Sequence, residues 1–293
     1  MKPLLIIPPA PDRWPAVKNL LADCDPLRFN DLERRFSTGI PGSQDAFAVI
    51  PDGGHMLALA GISKRHDLGI LSYLYTHPDH RRRGHGRMMI ETLLSWFDMA
   101  GGKWLYATSP ADLAERLLAP MGMQSMRRHT CSDQDLVVVR RLAPDTLPDP
   151  LSTATGSLQV RDVSRANWPT MAILLYNRAG ADPRVSLDES AVTAETVALE
   201  LIAQQEREAC NLKAAFHGAR LIGLASIALE PTGERTYAAL MPHDDTPAAL
   251  REALILLARA HGYQQVDFPM EALAEELTEP HPIPTPPAST STD

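Results

Sequence analysis

The run Thr76-His77-Pro78-Asp79-His80-Arg81-Arg82-Arg83-Gly84-His85-Gly86-Arg87 constrains this chain more than any other dozen residues. A strand-like segment, Gly69 to Thr76, leads into it, and a helix-like segment, running on to Ala100, leaves it. A basic, glycine-bearing turn between a strand and a helix is a device for holding phosphate. The first turn of a helix has unpaired N–H groups and the positive end of the macrodipole. Glycines let an anion approach the backbone, and arginines add charge. Arginines at a helix N-terminus oppose the dipole by about 0.3–1 kcal/mol each, so a purely structural role for this cluster is unfavourable.

Composition narrows what such a turn can serve. The 293 residues are 44% hydrophobic, enough for one large core or two ordinary ones. The net charge of −8 disfavours a nucleic-acid partner and is compatible with a cationic small molecule. Cys24, Cys131 and Cys210 are far apart and form no CxxC, so neither a disulfide framework nor a metal site is expected. The apolar start, Leu4 to Ile7, is too short for a signal peptide. No run approaches the ~18 apolar residues of a membrane helix. The expectation is a soluble, cytoplasmic protein with no membrane partner.

Two breaks divide the chain. Residues 142–157 (LAPDTLPDPLSTATGS) replace periodic pattern with Pro, Ser, Thr and Gly and read as a linker. Residues 279–293 are Pro/Ser/Thr-rich and read as a disordered tail. In the first part, hydrophobic periodicity gives the order β-α-α-β-β-β-α-β-α-β-β. Its helices are expected at Arg13 to Ala22, Asn30 to Phe36, Gly84 to Ala100 and Pro110 to Leu118, and Asp52-Gly53-Gly54 makes a hairpin. The second part repeats that order as far as its penultimate helix, with strands at Ser157 to Val163, Leu212 to His217 and Leu221 to Leu229. Trp14 and Trp168 begin corresponding helices and read as core anchors.

This order, together with the opening turn, resembles the GNAT acyltransferase superfamily. In that family a strand ends in V-x-P-x-x-R/Q-x-x-G-x-G/A and enters a helix. Pro78, Arg81, Gly84 and Gly86 match, with Thr76 at the small apolar position. A second segment, Ala114 to Met123 (AERLLAPMGM), resembles the family's A-x-x-L-Y-x-x-x-G-F. The resemblance implies an α/β (α+β) fold of two tandem GNAT-like domains, each a mixed, mostly antiparallel sheet flanked by helices. Residues 1–141 would carry the acyl-CoA site. Residues 158–278 would be a degenerate copy, since Met241 to Pro247 (MPHDDTP) lacks the phosphate pattern and its aspartates would repel a pyrophosphate. Two positions depart from the family: Leu118 stands at its tyrosine and Ala111 at a frequent asparagine.

The resemblance implies acetyl-CoA, or another acyl-CoA, as co-substrate. Leu74, Tyr75 and Thr76 would lie along the pantetheine arm. Arg81, Arg82, Arg83, Gly84, His85, Gly86 and Arg87 would surround the pyrophosphate. Ser109 and Thr108 are candidate donors to the leaving thiolate, although Ser109 before Pro110 is equally an N-cap. His77 is a candidate base, set against an exposed loop histidine. Asp31 and Glu33 fall in the segment that borders the acceptor in the family, and a solvated helix face is the plainer reading. Cys131 has no basic neighbours and is not expected to act as a nucleophile. The expected reaction is transfer of acetyl to a primary amine of a small molecule or peptide, and a homodimer is compatible with the sequence. The alternative is an acyl-CoA-binding regulatory or scaffold protein with little turnover.

Overall fold

A computed structural model describes residues 2–21, 24–131, 134–144, 146, 157–178, 194–208, 210–228 and 252. The first half follows the expected order: β1 (Leu4–Ile6), α1 (Trp14–Leu20), α2 (Pro26–Thr38), β2 (Gln44–Asp52), β3 (His55–Arg65) and β4 (Leu68–Thr76). It continues with α3 (His85–Met99), β5 (Trp104–Pro110), the short α4 (Ala111–Leu113), β6 (Gln124–Cys131) and β7 (Gln134–Leu142). These strands make one seven-stranded sheet in the order β1-β2-β3-β4-β5-β7-β6. All pairs are antiparallel except β4 with β5, which α3 connects as a crossover. The mixed, mostly antiparallel sheet is the expected one.

Local chemistry explains the elements. Gly53 (φ 53) and Gly54 (φ 91) supply the two positive φ values of a tight hairpin between β2 and β3. Asp25 caps α2, its Oδ1 accepting from the N–H groups of Leu27 (3.0 Å) and Arg28 (3.1 Å), and Pro26 fills the first helical position. That start lies one turn before the expected Asn30. The helix expected over Pro110 to Leu118 is instead composite. Three α residues are followed by a π-wound stretch, Ala114–Leu118, and a 3-10 turn at Ala119–Met121.

The second half contributes β8 (Leu158–Asp162), α5 (Trp168–Arg178), α6 (Ala194–Glu206), β9 (Cys210–His217) and β10 (Arg220–Ala228). β9 lies between β8 and β10, antiparallel to both, as β2 lies between β1 and β3. A 3-10 turn precedes the first helix in each half, at Pro11–Arg13 before Trp14 and Arg165–Asn167 before Trp168. Both tryptophans are buried, as expected of anchors. The segments expected beyond residue 229, including Met241 to Pro247 and the tail, lie outside the described residues, as do most of the expected linker and the side chain of Cys131.

Two layers cover the sheet. On one face, α3 and the α4 region pack through Met89, Ile90, Leu93, Phe97, Ala114 and Leu118 against Ala48, Ala58, Ala60, Leu71 and Leu105. On the other, α1 and α2 cover β1, β2 and β3 through Trp14, Val17, Leu32 and Phe36. The rest of that face, Leu68, Ile70, Trp104, Tyr106 and Val138, packs in one core with Trp168, Met171, Leu175 and Ala198 of the second half. Arg220 ties the halves further, pairing Asp67 at 2.6 and 2.8 Å and lying 4.5 Å from the Trp104 ring.

Candidate functional site

The sheet opens between β4 and β5. The two strands pair only at Leu68↔Trp104, Gly69↔Leu105 and Ile70↔Tyr106. Beyond those pairs, β4 runs on to Thr76 and β5 to Pro110 without pairing to each other. A bulge drives β4 out of line. Its register on β3 jumps from Gly61↔Ser72 to Leu59↔Tyr75, so Tyr73 and Leu74 oppose Ala60 alone, and Tyr73 takes φ 57. A wedge therefore forms at the carboxyl ends of two parallel strands, where αβ folds place ligands.

The basic turn stands at the mouth of this wedge. Arg82 (φ 61) and Gly84 (φ 79) are both left-handed, and Gly84 is the N-cap of α3. This backbone exposes a row of amides. The first bond of the helix is Met88 N–H to Gly84 O, and the preceding bond is Arg81 N–H to Pro78 O. Among the described residues, the six N–H groups from Arg82 to Arg87 have no acceptor. Successive free amides around left-handed residues make an anion-binding concavity, reinforced by the helix dipole.

The arginines brace the turn more than they extend from it. Arg81 Nε donates to Thr76 O (3.1 Å) and Arg83 Nη2 to Asp79 O (3.1 Å), while Arg87 pairs with Glu91 (2.8 Å). Arg82 has no partner among the described residues. A Cβ on Gly86 would meet Leu117 Cδ2 at 3.5 Å and Leu74 Cδ1 at 4.0 Å, so its bare face looks between β4 and the α4 region. His85 is buried at the start of α3, and its Nδ1 has no hydrogen-bond partner. Burial, then the nearby His80 and Arg83, hold its pKa below the ordinary value, which favours the neutral imidazole.

Residues 14–123 match the model of the Acetyltransferase (GNAT) family. This segment is a GNAT acetyltransferase domain. Solved structures similar to the chain include a ribosomal-protein-alanine N-acetyltransferase from Brucella melitensis (15% identity, 48% of this chain and 99% of that one, TM-score 0.38). Others are an acyl-CoA N-acyltransferase from Pseudomonas aeruginosa (12%, 48% and 99%, 0.38) and a variant of spermidine N-acetyltransferase from Vibrio cholerae (14%, 47% and 94%, 0.38). No curated protein matches the chain.

Within the GNAT domain the three catalytic candidates do not converge. Ser109 opposes Val137 and Thr108 opposes Val138, and those valines belong to opposite faces of the sheet. Ser109 lies on the α3 face and Thr108 on the α2 face. Ser109 is not the N-cap: Pro110 occupies that position, and Ser109 Oγ donates to Pro110 O at 3.2 Å. His77 is exposed, and its Nδ1 accepts from Asp79 N–H at 3.4 Å. It lines a hollow of about 360 Å³ with Asp52, His55, His80 and the α1 residues Ala16, Asn19 and Leu20. Leu118 is 1% exposed within the apolar core, so no proton donor stands at the family's tyrosine position.

Asp31 and Glu33 correct the reading of a solvated face. Glu33 accepts from Trp14 Nε1 at 3.0 Å. Asp31 and Arg35 are both 0% exposed. Arg35 donates to Asp31 and to Asp45, each at 2.6 Å, and the Tyr73 hydroxyl donates to Asp31 at 2.8 Å. From the second half, Arg165 reaches Asp31 (2.9 Å) and both oxygens of Glu206 (2.9 and 2.6 Å), and Trp168 lies 5.3 Å from the Arg35 guanidinium. Burial pushes the Asp31 carboxyl up, but Arg35, Tyr73 and Arg165 together hold it below its ordinary value. The spacing of Asp31 and Arg35 was visible in sequence as an (i, i+4) pair. Part of its cover, Arg165 and Trp168, comes from the second half and has no local signal. Among the described residues, no group of His, Cys, Asp or Glu is arranged to hold a metal, and no helix is long and apolar enough to cross a membrane.

Proposed function

We propose that this chain is an acyl-CoA N-acyltransferase, moving acetyl from acetyl-CoA to a primary amine of a small molecule or peptide. The observation that carries the reading is the row of free amides from Arg82 to Arg87 at the mouth of the β4/β5 wedge. In this reading those amides hold the pyrophosphate, with Arg82 adding charge and the neutral His85 an N–H donor. Arg81, Arg83 and Arg87 keep the turn in shape. The bare face of Gly86 admits the ligand towards Leu74, and Tyr75 and Thr76 continue the path along the unpaired edge of β4.

The chemistry needs little from the protein. A thiol with a pKa near 8.5 leaves without a strong acid. Ser109 lies on the α3 face, and in this reading it, rather than Thr108, turns its hydroxyl from Pro110 O to hydrogen-bond the thiolate. Thr108 belongs to the acceptor side. His77 faces its own hollow, so the proton of the attacking amine is lost to water at the mouth. The second half is assigned as a degenerate GNAT-like copy, supported by the matching strand order, the matching 3-10 turns and the two anchoring tryptophans.

Leu118 favours a second reading, an acyl-CoA-binding scaffold with little turnover. Labelled acetyl-CoA and a panel of primary amines separate the two. Label on an amine, reduced in Ser109→Ala, supports transfer. Tight acetyl-CoA binding with no labelled amine supports the scaffold.

A further inference from the structure

The contacts of α2 fix which end of the helix layer overlies the wedge. Arg35 pairs Asp45, which lies in the cross-strand row that passes through Ser63, Ile70 and Tyr106. That row is the last at which β4 and β5 still pair. One helical turn earlier, Asp31 bonds Tyr73, the bulge residue further along β4. α2 therefore runs antiparallel to β4, and Arg28, three residues earlier again, stands towards the open end. α6 lies beside α2 in parallel: Arg34 pairs Glu206 near both C-termini, and Arg28 approaches Glu195 near both N-termini.

Glu195 lies in the first turn of α6, where a carboxylate suits the helix dipole, but the dipole does not account for its missing hydrogen bond. It is 4% exposed, yet its Oε2 has no hydrogen bond among the described residues. Its ion-pair partner among the described residues, Arg28 Nη2, is 3.8 Å away, beyond hydrogen-bonding distance. Ser72, at the last register position before the bulge, also has a buried hydroxyl without a partner. Gly61, opposite Ser72, would direct a Cβ onto the Phe47 ring, which places this row on the α2 face. Buried acceptors are almost always filled, so an open carboxylate oxygen beside the wedge is a position for a donor that arrives with a ligand.

We infer that Glu195 is a specificity-determining residue that receives a cationic nitrogen of the acceptor, so that the second half of the chain completes the acceptor site. The inference rests on the acyltransferase reading. The attacking amine must be neutral, so the nitrogen held by Glu195 is a second one. The substrate class is an amine carrying another cationic group, as in an aliphatic diamine. Arg28, at 3.8 Å, leaves Oε2 open to an N–H donor.

The test uses the full chain with a four-carbon aliphatic diamine and with butylamine at saturating acetyl-CoA. For Glu195→Gln, KM for the diamine rises roughly 10- to 100-fold, the loss expected for a buried hydrogen bond to a charge. kcat, acetyl-CoA affinity and KM for butylamine stay unchanged, and Glu195→Asp, which keeps the charge, recovers part of the effect. A KM unchanged for both amines, or raised equally for both, overturns the inference. Calorimetric binding of the diamine alone provides a readout that needs no turnover. If acetyl-CoA binds but no amine is acetylated, the transfer reading fails, and diamine binding then decides Glu195. Binding lost in Glu195→Gln upholds the site, and absent or unaltered binding overturns it.

Discussion

The chain concentrates arginine in two places and uses it in opposite ways. In the turn from Arg81 to Arg87 the guanidinia are exposed, two of them bond backbone carbonyls of their own loop, and the amides stay open. In the cluster of Arg34, Arg35 and Arg165 they meet three carboxylates, Asp31, Asp45 and Glu206, and almost every charged atom has a partner. In the proposed function an anion completes the first arrangement. The second is nearly self-satisfied, with Arg35 Nη2 the cluster's buried guanidinium nitrogen that lacks a partner, and it joins α2 to the second half of the chain. Residue type therefore says little about role: burial and the state of the neighbouring backbone decide whether an arginine binds a ligand or fixes a fold.

The largest effect should come from breaking the closed cluster. Arg35→Met leaves Asp31 and Asp45 buried without their main partner and should cost about 3–5 kcal/mol in urea unfolding. Breaking the open region should act on binding instead. Gly86→Glu puts a side chain and a negative charge where the amides converge, and acetyl-CoA affinity measured by calorimetry should fall on the order of 100-fold or more. Its melting temperature should stay close to that of the parent.

A smaller loss of stability, about 1–3 kcal/mol, is expected for Arg165→Ala, which removes the link from Asp31 to Glu206. Protease sensitivity of the second half should rise with it. Acid tests the same cluster without mutation. Asp31 and Glu206 have folded pKa values held below their ordinary 3.8 and 4.5. For Asp31 burial works against the shift and the Arg35 pair overcomes it; for Glu206 the hydrogen bonds from Arg165 lead. A depressed carboxylate contributes stability above its unfolded pKa and loses it as pH falls through the folded one. Unfolding free energy should therefore decline below about pH 4.5, and the decline should shrink in Arg165→Ala. The smallest effect is assigned to Arg82→Ala. It removes one exposed charge but no amide, so acetyl-CoA affinity should drop about two- to fivefold and depend less on salt.

Much of this was legible in the sequence, and the gaps have physical causes. Apolar periodicity and the Gly53-Gly54 hairpin located the strands of the first sheet, because those signals are local. The start of α2 was also present, as Asp25-Pro26, an N-cap followed by a first-turn proline. The bulge at Tyr73 was not visible, since it is set by register against β3 rather than by any residue in β4. Nor could an (i, i+4) pair such as Asp31 and Arg35 announce that Arg165 and Trp168 of the second half would pack against it. Ser109 and Thr108 looked interchangeable as adjacent residues. Strand alternation puts them on opposite faces, and only the topology says which face the turn serves.

The central claim is that the amides from Arg82 to Arg87, and not the arginine side chains, form the binding surface for acyl-CoA. Amide hydrogen exchange of the full chain with and without acetyl-CoA tests it directly. Protection should concentrate on residues 82–87, persist in Arg82→Ala and vanish in Gly86→Glu. Tight acetyl-CoA binding that leaves exchange in residues 82–87 unchanged would contradict the account.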